Sequence, residues 1–159
     1  MKDVWNNLSV RHKGFSLVEL ALVLVLLSVL TAIAAPRYSS SANNYRVNMA
    51  ARKVAADLGS ARADAWNRGV HRTVTFTTAA LQYTLTGVAD MNHTAADTVV
   101  SLKTSPYSLT QLAANFGGLS SVIFDAYGMP NNGGTVTVTS GTASQTVTLN
   151  GTTGNITIP

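Results

Sequence analysis

The sequence predicts an α+β protein in which a long N-terminal α-helix, its first half transmembrane, packs on a small antiparallel β-sheet domain. Three observations lead there. An apolar run fills Phe15 to Ala35 with Glu19 as its one ionisable residue. A stripe of apolar residues at helical spacing follows as far as Ala65, and after Gly69 the hydrophobic period falls to two. With 159 residues the chain has the length of one ordinary domain, but its first third differs too much from the rest for one compact unit.

The apolar run, FSLVELALVLVLLSVLTAIAA, has 21 residues. At ~1.5 Å per residue such a helix spans roughly 31 Å, the thickness of a bilayer's hydrocarbon core. Arg11 and Lys13 precede it, and the positive-inside rule places them in the cytoplasm with everything after Ala35 on the far side. A cleaved secretory signal is the alternative, but the run is long for one and "AIAAP" is a poor cleavage site.

Pro36 lacks a backbone N–H, so a bend is expected there. Helical periodicity then resumes with Val47, Ala50, Val54, Leu58, Ala61 and Ala65 on one face. Arg46, Arg52, Lys53, Asp57, Arg62, Asp64 and Arg68 fall off that face, and Asp64 with Arg68 forms an i, i+4 pair. Gly69 is a natural stop, so one helix is predicted from about Phe15 to Arg68.

Beyond it, Val74 and Phe76 alternate with threonines, as do Leu81, Tyr83 and Leu85 with polar residues. Val136 and Val138, Val147 and Leu149, and Ile156 and Ile158 repeat the pattern, each a strand with one buried face. "VIFDAY", Val122 to Tyr127, is another strand. Asn131-Asn132-Gly133-Gly134 behind it predicts a hairpin turn, and Asn150 to Gly154 the next, so the last third reads as an antiparallel meander. Residues 87–96 read as a polar loop, and 105–121 as a strand, a short helix or an excursion.

The chain has no cysteine, which removes disulfides and thiolate metal sites. Its net charge of +4 is unevenly placed: Arg37, Arg46, Arg52, Lys53, Arg62, Arg68 and Arg72 face only Asp57 and Asp64 on the helix stem. After Arg72, Lys103 stands against Asp90, Asp97 and Asp125, so the β domain is acidic.

The strongest motif is at the start. Gly14-Phe15-Ser16-Leu17-Val18-Glu19, behind Lys13 and ahead of an apolar run reaching Pro36, resembles the class III signal of type IV pilins and type II secretion pseudopilins. Its pattern "GF(S/T)L(V/I)E" is matched without departure, in register with the apolar run. Ala51 to Gly69, Val122 to Pro130 and Gly151 to Pro159 resemble the GspH/FimT family, minor pseudopilins and minor pilins that join such a helix to a small β-rich domain.

The resemblance implies a leader over residues 1–14, a transmembrane and filament-core helix over 15–35, its amphipathic continuation over 36–68, and a periplasmic β domain over 69–159. It implies cleavage between Gly14 and Phe15 by a prepilin peptidase, methylation of the new Phe15 amine, and a single-pass anchor in a bacterial inner membrane. Other pilins or pseudopilins, an inner-membrane assembly platform and membrane lipid are the implied partners. Phe15 and Glu19 lie four residues apart, so the Glu19 carboxylate of one subunit can meet the Phe15 ammonium of a neighbour offset along a bundle. In low dielectric neither charge is tolerated alone.

No cofactor, metal or small-molecule substrate is implied. Asp90, Asp97 and Asp125 are too scattered for the calcium loop of major pseudopilins. His12 lies in the leader, His71 at a strand start and His93 in a polar loop, none in a metal-ligand spacing, and no nucleophile elbow or phosphate loop is present. An enzyme is not expected. Nucleic-acid binding through the helix cations is the minority alternative, since those charges lie where subunits or lipid headgroups would meet them. The sequons at Asn92, Asn150 and Asn155 mark turns and strand edges. The expected function is that of a minor pseudopilin or pilin assembled through its N-terminal helix. A minor type IV pilin in DNA uptake or adhesion, or a membrane-anchored β-domain binding protein, are the rivals.

Overall fold

A computed structural model describes residues 14–88 and 97–159 and, of 34–36, the backbone alone. Helix α1, Leu17–Arg68, is followed by strands β1 (Arg72–Thr77), β2 (Gln82–Thr86), β3 (Thr98–Ser101), β4 (Gln111–Asn115), β5 (Ser121–Phe124), β6 (Gly134–Ser140), β7 (Ala143–Leu149) and β8 (Ile156–Thr157). The chain divides into two compact units, one ending at Arg37 and one spanning Tyr38–Pro159.

The helix starts at Leu17, later than the predicted Phe15. The reason is local: the Ser16 hydroxyl accepts the Glu19 N–H at 3.1 Å, and a serine in that role caps the helix and leaves Phe15 outside it. In the first unit every large apolar side chain from Leu17 to Ile33 is exposed. Its hydroxyls are satisfied internally, Ser28 donating to the Val25 carbonyl at 2.7 Å and Thr31 to that of Leu27 at 2.8 Å. Apart from the Glu19 carboxylate, no side-chain polar group need then seek water along this stretch, which is long and apolar enough to cross a membrane. The backbone stays helical through Pro36, whose side chain lies outside the described residues.

In the second unit the predicted stripe is the buried face of the helix. Val47, Ala50, Val54, Leu58, Ala61 and Ala65 are all buried, with Ala51 beside them. Four alanines at 0% exposure make this face smooth and closely packed on the core. The helix ends as Gly69 predicts: at φ +63° this glycine donates to the Trp66 carbonyl at 3.2 Å, and Val70 to that of Ala65 at 3.1 Å. These two bonds are a Schellman cap, which closes the last turn.

The strands form two four-stranded sheets, β3-β2-β1-β5 and β4-β6-β7-β8, the antiparallel β domain that the sequence predicts. Every pairing is antiparallel. The predicted inward residues Val74, Phe76, Tyr83, Leu85, Val136, Val138, Val147 and Leu149 are buried, while Leu81, Ile156 and Ile158 are half-buried at the margin. Phe76 joins the sheets, its ring 5.4 Å from Tyr83 and 5.8 Å from Phe116, the residue that follows β4. Aromatic centroids at these separations add to simple burial.

The expected hairpin at 131–134 is a crossover instead, because β5 and β6 belong to different sheets. Asn131 acts there as a strand partner: it donates to the Ile123 carbonyl and accepts the Ile123 N–H through Oδ1, both at 2.9 Å. The left-handed turn falls earlier, at Gly128 (φ +71°). The turn at Asn150 is as predicted, its Oδ1 accepting the Thr152 and Thr153 N–H groups at 2.8 and 3.0 Å. Strands β6, β7 and β8 make the expected meander. Of 105–121, the part from Gln111 to Asn115 is strand β4. Most of the predicted loop, 89–96, lies outside the described residues, but its ends are held, Gly87 donating to Asp97 and Thr98 to the Val88 carbonyl, both at 2.8 Å.

Candidate processing and assembly site

The residues predicted to carry function cluster where the helix begins. Gly14 and Phe15 are non-helical and exposed, Phe15 to 78%. Residues 1–13, the rest of the predicted leader, lie outside the described residues. The Gly14–Phe15 peptide bond therefore lies outside the helix, between two exposed residues. The Ser16 cap fixes where the helix begins.

Glu19 is the third residue of α1 and is exposed. Ser16-Leu17-Val18-Glu19 has the Ser-x-x-Glu spacing of a capping box, and the serine arm of that box is formed. A carboxylate in the first turn also faces the positive end of the helix dipole. Yet its neighbours Leu17, Val18, Leu20 and Leu22 are all exposed apolar side chains, and among the described residues Glu19 has no cationic partner. In a membrane or a bundle of apolar helices, such a carboxylate calls for a cation from elsewhere.

The second unit holds polar arrangements that periodicity did not reveal. Tyr83, fully buried on β2, donates to Asp57 Oδ2 at 2.6 Å, while Lys53 meets Asp57 Oδ1 at 2.9 Å. Burial and the adjacent Asp57 carboxylate push the Tyr83 phenol well above its ordinary pKa. Asp64 takes Arg68 at 2.8 Å, the pair seen in the sequence, and also Arg72 from β1 at 2.5 Å. Its partial burial opposes ionisation, but the hydrogen bonds and charges of Arg72 and Arg68 outweigh that and hold its carboxyl below 3.8. Only the helical spacing of Lys53–Asp57 and Asp64–Arg68 hinted at these networks.

Arg62 is the third. Its guanidinium donates to the carbonyls of Gly128 (3.1 Å), Gly154 (2.8 Å) and Thr153 (3.0 Å), tying the helix to two turns. His71 is exposed and His93 lies outside the described residues. Asp125 is occupied by its own turn, accepting the Tyr127 and Met129 N–H groups at 2.9 and 2.8 Å. Among the described residues no three His, Asp or Glu side chains are grouped to hold a metal ion.

Comparison with known proteins bears on both ends of the chain. The family described as Type II transport protein GspH matches residues 50–153, and the prokaryotic N-terminal methylation motif matches residues 10–35. No curated protein matches the chain. The fold is similar to crystal structures of the type IV minor pilin FimU of Pseudomonas aeruginosa strain PAO1. In one crystal form the TM-score is 0.50 at 15% identity over 71% of this chain and 87% of that one. In another it is 0.51 at 13% identity over 70% and 91%. At this identity the likeness is one of fold alone.

Proposed function

Because the chain belongs to the GspH family, a family of structural pilin-like subunits rather than enzymes, we propose that it is a minor pseudopilin of a type II secretion filament, processed and assembled through its N-terminal helix. The methylation motif and the apolar helix fit a single-pass membrane anchor. Prepilin peptidase cuts between Gly14 and Phe15 and methylates the Phe15 amine. The β domain then lies in the periplasm, and the inner-membrane platform extracts the anchor into a helical filament.

The observation that carries this reading is Glu19, an acid without a cationic partner among the described residues, in the first turn of an otherwise apolar exposed helix. A neighbour's Phe15 ammonium supplies the missing charge only after cleavage, so processing and assembly are linked. Pro36 gives the helix the flexibility to repack on leaving the membrane.

Intact mass of the membrane-extracted protein tests the reading. Loss of residues 1–14 plus one methyl group is expected, with neither change after a bulky substitution of Gly14. An unaltered full-length mass in cells that contain prepilin peptidase would refute it.

A minor type IV pilin is the second reading, favoured by the FimU-like fold. Secretin and secretion ATPase genes next to this one, without a retraction ATPase, select the secretion system.

A further inference from the structure

We infer that the cleft at Arg62 and Trp66, with the turn that carries Tyr127 beside it, is a docking site for an acidic segment of a partner protein. The helix positions Gly59, Arg62, Ala63, Trp66 and Asn67 line an open cleft of about 430 Å³. Small residues at 59 and 63 leave its floor low, and Trp66, 65% exposed, forms a wall. The Asp125–Gly128 turn lies against this part of the helix: a Cβ built on Gly128 would sit 3.6 Å from that of Trp66. Tyr127, 78% exposed, is the next residue in the turn. Exposed Trp66 thus stands beside a guanidinium, with exposed Tyr127 in the turn that lies against them.

Charge decides what fits. Among the described residues Arg62 meets only main-chain carbonyls, which orient the guanidinium without cancelling its charge. Among the described residues the carboxylates nearby are committed: Asp64 to Arg68 and Arg72, Asp57 to Lys53 and Tyr83, and Asp125 to its own turn. Three N–H groups of Arg62 are used out of the five a guanidinium carries, and the bond from Nη2 lies at the exposed edge. A carboxylate from outside can pair there while its neighbouring residues pack on Trp66 and Tyr127. A nucleic-acid backbone fits less well, because beyond Arg72 the chain has Lys103 alone among Lys and Arg and offers no cationic track. Aromatic and Arg side chains set around such a cleft are the usual anchors of protein interfaces.

The test uses the full chain in detergent carrying Trp5→Phe, which leaves Trp66 as the one tryptophan. A terminally blocked hexapeptide alternating Glu and Gly is titrated, with its Gln counterpart as control. The expected result is a saturable change in Trp66 emission with the Glu peptide alone. Arg62→Gln should weaken binding about tenfold, the loss of one charge-assisted hydrogen bond, with Arg62→Lys between. Tyr127→Ala removes an exposed side chain and leaves the fold intact, and should weaken binding several-fold, so the inference stays testable if Arg62→Gln fails to fold. Equal binding of the Gln peptide, no effect of Tyr127→Ala, or a silent Trp66 overturns it. A tighter response to a single-stranded oligothymidine would assign the site to nucleic acid, and a change on raising protein concentration alone would assign it to a second copy; either overturns it.

Discussion

The hydroxyl of Tyr83 donates a 2.6 Å hydrogen bond to Asp57, a residue 26 positions earlier on the helix, and Lys53 holds the other oxygen of the same carboxylate. A buried phenol, a part-buried acid and a part-exposed base thereby fix how far along its axis the helix lies against β2. Apolar contacts alone would tolerate sliding, since one alanine resembles the next.

Tyr83→Phe leaves Asp57 its lysine but removes one hydrogen bond to a charged group, and a loss of about 1–3 kcal/mol is expected. Chemical denaturation of the full chain in detergent measures it. The phenol's folded-state pKa is raised above 10.0 by burial and by Asp57. Its stabilising contribution is therefore complete below pH 10 and lost as pH climbs beyond it. Wild type should weaken in that alkaline range and Tyr83→Phe should weaken less; parallel alkaline limbs would contradict the assignment.

Asp64 gives the opposite sign. Its folded-state carboxyl titrates below 3.8, so its contribution is present above about pH 4 and disappears as pH falls through the folded value. Asp64→Asn should flatten part of the acid limb of stability against pH. Arg72, with 14% of its side chain exposed, should matter more than Arg68 at 64%. Exposed pairs such as Arg68–Asp64 contribute roughly 0–1 kcal/mol.

Gly69 and Gly128 both have positive φ, +63° and +71°. An added Cβ meets nothing within 4 Å at Gly69, but at Gly128 it comes within 3.3 Å of the Arg62 carbonyl. Gly69→Ala should therefore cost about 1–2 kcal/mol of backbone strain, and Gly128→Ala distinctly more. Melting temperatures of the two variants rank them; equal losses would mean that the packing around Gly128 yields freely.

Ser16 and Glu19 separate helix capping from assembly. The cap uses the Glu19 backbone N–H, so Glu19→Gln should leave the first turn intact and be processed normally, yet fail to enter filaments beside its partner subunits. Ser16→Ala should loosen the first turn by roughly 1 kcal/mol. Comparing filament yield and N-terminal hydrogen exchange distinguishes the two effects; normal assembly of Glu19→Gln would rule out the amine pairing.

The sequence was informative wherever one residue's surroundings depend on its own neighbours. The stripe from Val47 to Ala65, the stop at Gly69 and the inward faces of β1, β2, β6 and β7 all follow from periodicity. Period two shows which way a side chain faces but not which strand lies beside it, so the two-sheet arrangement and the crossover at Asn131 were hidden. Strand β3 was missed because Thr98 to Ser101 lies at a sheet edge and buries no full side chain. Arg62 stood out only as a cation off the apolar stripe, since carbonyl partners at 128, 153 and 154 leave no pattern in side-chain identity.

That last point reaches beyond stability. A guanidinium that grips main-chain oxygens reads the turns it holds through their backbone, and it asks for the bare glycines at 128 and 154, where a Cβ would press on Arg62. An exposed residue such as Tyr127 is then open to substitution without loosening the scaffold beneath it. The fold can change what its surface says while keeping the same grammar.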